Sequence, residues 1–104
     1  MDQATADIYC KGLGGRLAFF RSDYEFFQYS LLKPFRAMEW AGIKKYGYRW
    51  KNLDGSTPFL NWYPGEPNNH GGREACVDIV AVSGSFQMND ENCARRLQFT
   101  CRFN

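Results

Sequence analysis

The chain has 104 residues and a formal net charge of +2, from 13 lysines and arginines against 11 aspartates and glutamates. This length predicts one domain over residues 1–104, and so small a charge gives no reason to expect nucleic acid or an acidic membrane as the partner, since both attract concentrated basic surfaces. Aromatic residues make up 17% of the chain, which supplies bulky side chains for a core and excludes a disordered protein.

The sequence begins with a predicted helix at residues 2–11. Ala4 and Ile8 are four positions apart, which is a helical spacing, and the glycine-rich residues 12–15 then end the helix. The apolar run at residues 16–20 predicts a strand.

A capping box predicts a second helix. Ser22 is followed three residues later by Glu25, a pattern in which both side chains satisfy free N–H groups of the first helical turn. The helix is expected to run to Pro34, since proline cannot continue it. The side chains that recur at helical spacing are Phe26, Phe27, Ser30 and Leu31.

The rest of the chain predicts short strands separated by turns. From Trp40 onward, aromatic and aliphatic runs alternate with glycine, asparagine and proline. The predicted strands are residues 40–43, 48–50, 77–82, 86–88 and 98–103. Helices followed by strands indicate an α+β domain rather than alternating units around a parallel sheet.

Four cysteines without a Cys-x-x-Cys pair favour a disulfide framework over a zinc ribbon or a thioredoxin-like redox site. Three pairings are open at this point. Disulfides predict a secreted or extracellular setting, although residues 1–7 lack the apolar run of a signal peptide. No stretch reaches the length of a transmembrane helix, so membrane insertion is not expected.

The loop at residues 61–74 contains two prolines and three glycines, so regular secondary structure is excluded there. A bound calcium ion would hold such a loop in place, because oxygen-bearing side chains lie in it and shortly after it. Turn formation alone accounts for the same residue types, and composition leaves the two interpretations equally open. The five oxygen-bearing side chains are Glu66, Asn68, Glu74, Asn89 and Asp90.

Six short motifs occur in an order that resembles the C-type lectin domain, from the first helix to the end of the chain. Each motif alone is weak, and their order and spacing together are specific. The motifs are Trp40-Ala41-Gly42-Ile43, Trp62-Tyr63-Pro64-Gly65-Glu66-Pro67-Asn68-Asn69, Glu74-Ala75-Cys76-Val77, Asn89-Asp90, Cys93 and Phe99-Thr100-Cys101.

This resemblance implies a double-loop α+β fold with two helices, mostly antiparallel strands and a long loop that carries the ligand site. It also implies disulfides between Cys10 and Cys101 and between Cys76 and Cys93. In the sugar-binding branch of the family, the positions that match Glu66, Asn68, Glu74, Asn89 and Asp90 hold the principal Ca²⁺, and the bond before the motif proline is cis.

Two vicinal sugar hydroxyls then complete the coordination of the ion, with hydrogen bonds to Glu66, Asn68, Glu74 and Asn89. The Glu-Pro-Asn order implies glycans with equatorial 3- and 4-hydroxyls, as in mannose, N-acetylglucosamine and fucose, whereas galactose binding resembles Gln-Pro-Asp. His70 is expected as a further contact to the sugar ring. Arg73 is expected to be solvated, or to bond a second sugar unit.

Three departures from the family pattern bear on the site. Met88 stands where a tryptophan is common, which predicts looser packing below the ion and a change in the affinity for it. Asn69 and Ala75 replace acids, so auxiliary ions are not expected. The usual strand before the first helix is missing, which predicts an exposed edge on the C-terminal strand and makes a homo-oligomer an option.

Three other functions fit the sequence less well than sugar binding. The alternative within the same superfamily is a protein- or ice-binding domain in which calcium is only structural. An enzyme is not expected, because Glu66 and Glu74 are already assigned to the ion and no Ser-His-Asp or Cys-His arrangement is evident. Residues 44–49 mix basic and aromatic side chains but fit an exposed turn better than a nucleic-acid site.

Overall fold

Two helices and seven short strands make up the computed structural model, which describes residues 1–32, 38–82 and 85–103. The helices are α1 (Gln3–Gly12) and α2 (Asp23–Leu31), and a 3₁₀ turn spans His70–Gly72. The strands are β1 (Arg16–Leu17), β2 (Glu39–Tyr46), β3 (Arg49–Asn52), β4 (Cys76–Val82), β5 (Ser85–Glu91), β6 (Gln98–Phe99) and β7 (Cys101–Arg102). The fold is therefore α+β, as predicted.

Helix α1 lies where it is predicted, but its buried face is a different one. The side chain of Asp2 caps the helix by accepting a hydrogen bond from the Thr5 N–H at 2.9 Å. Ile8, which helped to predict the helix, is 66% exposed. The buried positions have the helical spacing of three and four residues, and they are Gln3, Ala6, Asp7 and Cys10.

Helix α2 begins at the predicted cap, with the Ser22 hydroxyl accepting from the Glu25 N–H at 3.2 Å. The Glu25 carboxylate bonds the N–H of Arg21 rather than that of Ser22, so the capping box is not completed in its usual form. The helix buries Phe26, and Phe27 is exposed instead of packed. The predicted end of the helix at Pro34 lies outside the described residues.

Two sheets hold the strands. The larger has the order β3-β2-β4-β5, with antiparallel neighbours, and β6 pairs in parallel with β2. The smaller consists of β1 and β7. The predicted turn at residues 44–49 was wrong for most of its length, because β2 continues to Tyr46 and β3 begins at Arg49. Two of the predicted strands are not single strands. The run at residues 16–20 is a strand only at its start, because Ala18 and Phe20 bond other segments, and the run at residues 98–103 is divided between the two sheets at Thr100.

The disulfides join Cys10 to Cys101 and Cys76 to Cys93, which are the pairs that the resemblance implies. The first links α1 to β7, and the second links the start of β4 to the segment after β5. Closing loops of this length stabilises a small domain by about 3–5 kcal/mol in the chain-entropy description. The second disulfide thereby closes the segment that carries Asn89 and Asp90. Among the described helices, none is long and apolar enough to cross a membrane.

Asp7 joins α1 to the smaller sheet by a buried ionic contact. Its carboxylate accepts hydrogen bonds from the Arg16 guanidinium at 3.1 and 3.2 Å and from the Leu17 N–H at 3.0 Å. Burial alone raises the pKa of Asp7, but the hydrogen bonds from Arg16 and Leu17 outweigh it, and the pKa lies below its ordinary value.

We expect Asp7→Asn to lower the free energy of unfolding by about 2 kcal/mol at pH 7, because it removes a charge-assisted contact. A depressed carboxyl pKa stabilises the fold above the unfolded-state value, about 3.9, and this stabilisation is lost as the pH falls through the folded-state value. Urea unfolding at pH 7 and in steps down to about pH 2 measures the difference between the two proteins. The difference should shrink with acid, and a constant difference would contradict the assignment.

Candidate functional site

The loop at residues 61–74 is fastened to β5 at Met88. The N–H of Met88 donates to the Asn61 carbonyl at 2.7 Å, and the Met88 carbonyl accepts from the Tyr63 N–H at the same distance. The Met88 side chain is fully buried, and its sulfur accepts from the Asn61 N–H at 3.4 Å. Methionine thus occupies the position below the loop without leaving its backbone unpaired, whereas its effect on ion affinity stays a prediction.

Asp90 holds the middle of the loop. Its side chain is completely buried on β5, and its two oxygens accept from the N–H groups of Asn68, at 3.1 Å, and Asn69, at 2.7 Å. The Glu66-Pro67 peptide bond just before them is cis, as the resemblance implies. Asn69 has a φ of 48°, in the left-handed region that asparagine tolerates better than most residues. One carboxylate therefore orients the backbone that carries two predicted ligands.

Glu66, Asn68 and Glu74 are brought together by hydrogen bonds. The Asn68 amide donates to the Glu66 carboxylate at 3.3 Å. The His70 N–H donates to the side-chain Oδ1 of Asn68, at 3.1 Å, and to the Oε1 of Glu74, at 2.7 Å. These two oxygens are therefore neighbours. The Glu74 N–H donates to Asn69 at 3.0 Å. Four of the five predicted ligands are thus connected through Asn68 and its backbone.

Negative charge accumulates in this network. Burial and the close approach of the Asp90 carboxyl raise the pKa of Glu66. Burial also raises the pKa of Glu74 despite its bond from His70, and the charges of Asp90 and Glu91 add to that rise. The Oε1 atom of Glu66 is buried and has no hydrogen-bond partner. A cation would lower the pKa of both glutamates and satisfy this oxygen, so the donor set fits a hard ion such as Ca²⁺.

The carboxylates alone do not form a metal site. Within the described part of the chain, no group of three or more histidine, cysteine, aspartate or glutamate side chains has the proximity that holds an ion. Any ion held here therefore depends on the amide oxygens of Asn68 and Asn89 as well. His70 lies on the exposed surface of the loop and takes part in the network through its backbone N–H.

Asn89 is directed toward a residue that the sequence analysis did not single out. Its amide donates to the Asp78 carboxylate at 3.1 Å, across the paired strands β4 and β5. Asp78 is completely buried, its Oδ2 has no partner, and burial raises its pKa to about 7. It sits inside the predicted strand at residues 77–82, between two apolar neighbours, where alternation predicts a solvent-facing side chain. No sequence signal distinguished it from an ordinary exposed strand residue.

A mostly antiparallel sheet, two helices and a polar loop held by a buried aspartate define a disulfide-bonded α+β domain. Residues 1–103 match the family model of the Lectin C-type domain, and the chain belongs to that family.

Individual relatives agree with this family. The C-type lectin of Cerberus rynchops is 34% identical over 108 residues, a match that covers 94% of this chain and 68% of the relative. A Hoplocephalus stephensii protein named C-type lectin galactose-binding isoform is 31% identical over 106 residues, with 93% and 67% covered. Among solved structures, the carbohydrate-recognition domain of cow CD23, in the presence of a GlcNAc2Man3 oligosaccharide, has a TM-score of 0.84 at 28% identity. The match covers all of this chain and 81% of that one.

Proposed function

We propose that this chain binds carbohydrate in a calcium-dependent manner, with the ion held by Glu66, Asn68, Glu74, Asn89 and Asp90. The proposal rests on the hydrogen-bond network through Asn68. This network brings the carboxylates of Glu66, Glu74 and Asp90 together, and one Glu66 oxygen in it is buried and has no hydrogen-bond partner. A hard divalent cation would stabilise such a site.

Calcium accepts up to eight oxygen ligands, so two vicinal hydroxyls of a sugar would complete its coordination when it is bound. The chain supplies the hydrogen bonds around these hydroxyls. The amide groups of Asn68 and Asn89 donate to hydroxyl oxygens, and the carboxylates of Glu66 and Glu74 accept hydroxyl protons. The Asp78 carboxylate holds the amide nitrogen of Asn89, which leaves the Asn89 carbonyl oxygen for the ion.

The sugar class follows from the order of donors and acceptors. Glu66 precedes Asn68, the arrangement that the resemblance associates with equatorial 3- and 4-hydroxyls, so we propose mannose, N-acetylglucosamine and fucose as ligands. His70 lies in this loop, is exposed, and is proposed to contact the sugar ring. The similarity to the cow CD23 domain, whose structure was determined in the presence of an oligosaccharide of mannose and N-acetylglucosamine, supports this choice of sugars.

The chain is proposed to act as a binding module without catalysis, in an extracellular or secreted setting. Relatives named as lectins support the first point, and two disulfides support the second because they persist in oxidising compartments. Single sugars bound in this way usually dissociate readily, so presentation of several copies, as in a homo-oligomer, would raise the affinity for a glycan surface.

Calorimetric titration tests the proposal directly. Methyl mannoside added to the protein in calcium is expected to release binding heat that disappears in EDTA, because EDTA removes the ion that coordinates the sugar hydroxyls. Methyl galactoside under the same conditions serves as the matched ligand control and should bind at least about tenfold more weakly, as one mispaired hydrogen bond predicts.

Two results would contradict the proposal. Mannoside heat that is unchanged by EDTA would remove the ion from the mechanism. Thermal stabilisation by calcium without any heat from mannoside or galactoside would favour the alternative in which calcium is only structural and the partner is not a sugar.

A further inference from the structure

A cleft of about 260 Å³ lies beside the proposed calcium site. It separates the end of β2 from the loop, and it shares two loop residues with the network of the site. The lining residues are Lys45, Gly47, Asn69, Gly72, Arg73, Glu74 and Ala75. A sugar held at Glu74 would therefore border this cleft directly.

The cleft is built on fixed backbone. The Lys45 N–H donates to the Ala75 carbonyl at 2.8 Å, which ties strand β2 to the end of the loop. The Lys45 ammonium lies 5.8 Å from the centre of the Trp50 ring, and that ring packs edge-on against Trp62 at 5.1 Å. The position of the Lys45 charge is thus supported by an aromatic pair rather than by solvent alone.

The two strands beside the cleft are rich in basic residues. The hairpin formed by β2 and β3 carries Lys44, Lys45, Arg49 and Lys51 and has no acidic residue between positions 44 and 51. Neither these four residues nor Arg73 forms an ion pair with a carboxylate in the described ranges 1–32, 38–82 and 85–103. Lys44 and Lys51 stand directly opposite each other on one face of the hairpin, and Lys45 projects from the other face, which borders the cleft.

Glu74 is the one carboxylate that lines the cleft. In the proposed function its charge faces the ion, so Lys45 and Arg73 are left without a compensating anion. Two cations with free donors at the edge of a sugar site are suited to a sulfate ester or a carboxylate.

We propose that Lys45 and Arg73 form a subsite for an anionic substituent, a sulfate or carboxylate, on the sugar coordinated next to it. This inference rests on the proposed function, because the coordinated sugar places the substituent at the mouth of the cleft. The ligand class is thereby narrowed from neutral mannose-type glycans to acidic ones, among which sulfated mannosides are the simplest probes.

The test compares methyl mannoside with its 2-sulfate and its 6-sulfate, since positions 3 and 4 are occupied by the ion. In calcium and low salt, one of the two sulfated mannosides is expected to bind about fivefold more tightly than the neutral one, as two partly exposed ion pairs predict. The advantage should shrink to less than about twofold in 0.5 M salt, which screens exposed charges. Free inorganic sulfate at equal concentration should not displace the neutral mannoside.

Variants assign the effect to the cleft. The double variant Lys45→Gln and Arg73→Gln should bind sulfated and neutral mannosides equally, whereas Lys51→Gln should keep the wild-type ratio. Lys51 is a matched control because it lies on the other face of the hairpin. It stands opposite Lys44, and the side chains of Lys44 and its neighbour Lys45 point to opposite faces. Thermal unfolding in calcium checks that each variant is folded.

The possible results are distinct. Equal affinity for all three mannosides in the wild type overturns the subsite and leaves calcium-dependent mannose binding intact. A sulfate advantage that survives in the double variant also overturns it. Tight binding of a sulfated mannoside that is lost in the double variant but unaffected by EDTA would retain the anionic subsite and overturn the calcium-dependent function.

Discussion

Asp90→Asn is expected to weaken calcium binding by about 100-fold and to abolish measurable mannoside binding, the largest effect of any single substitution in the site. The carboxylate is fully buried and accepts from two backbone N–H groups, those of Asn68 and Asn69. An asparagine side chain has one acceptor oxygen, so its NH₂ group would face one of these N–H donors. The loss of a charge and of one charged hydrogen bond, about 3 kcal/mol, corresponds to the stated factor.

Calcium titration followed by tryptophan fluorescence or calorimetry measures this change, and mannoside titration at saturating calcium measures its consequence. Asp54→Asn is the matched control, since it makes the same substitution at an exposed turn where the carboxylate bonds Ser56. The control should bind calcium and mannoside as the wild type does. A calcium affinity of Asp90→Asn within about threefold of the wild type would exclude Asp90 from the ion's ligands.

Capping and turn chemistry made the secondary structure predictable. Ser22 caps α2 as the sequence predicts, and Asp2, predicted as the first helical residue of α1, is its cap. Local side-chain bonds of this kind act over three or four residues, so the sequence reveals them without knowledge of the fold. The orientation of each helix is decided by distant partners instead. The Cys10 disulfide and the Asp7 contact to Arg16 turn α1 so that Ile8 faces solvent.

In the candidate site, too, the local features could be predicted and those set by distant partners could not. The loop residues could be recognised from the order of their motifs, and the cis bond at Pro67 accompanies that motif. Asp78 could not be recognised, because its burial results from neighbouring segments that cover both faces of β4 at this point. The direction of the Asn89 amide depends on Asp78 and was equally inaccessible. Strand β2 also runs through positions 44–46, which were expected to form a turn, so the cleft beside the loop was not anticipated.

Exchanging the donor and the acceptor at the centre of the site is expected to abolish the preference for mannoside over galactoside. In the double variant Glu66→Gln and Asn68→Asp, the net charge of the loop is unchanged, and the hydrogen bond between the two side chains is preserved with opposite polarity. The mannoside hydroxyls then meet a donor where they met an acceptor. We expect the ratio of mannoside to galactoside affinity to fall by at least about tenfold, because each mispaired hydrogen bond costs about 1–3 kcal/mol.

The single variant Glu66→Gln is the informative control, since it removes a charge without restoring the complementary acceptor at position 68. It should weaken calcium binding and therefore the binding of both sugars, whereas the double variant should retain calcium within a few-fold of the wild type. Selectivity that changes only in the double variant would tie sugar choice to the polarity of this pair. If the double variant loses loop order and binds neither sugar, the ion would have a structural role, and the surface of the domain would serve a partner other than carbohydrate.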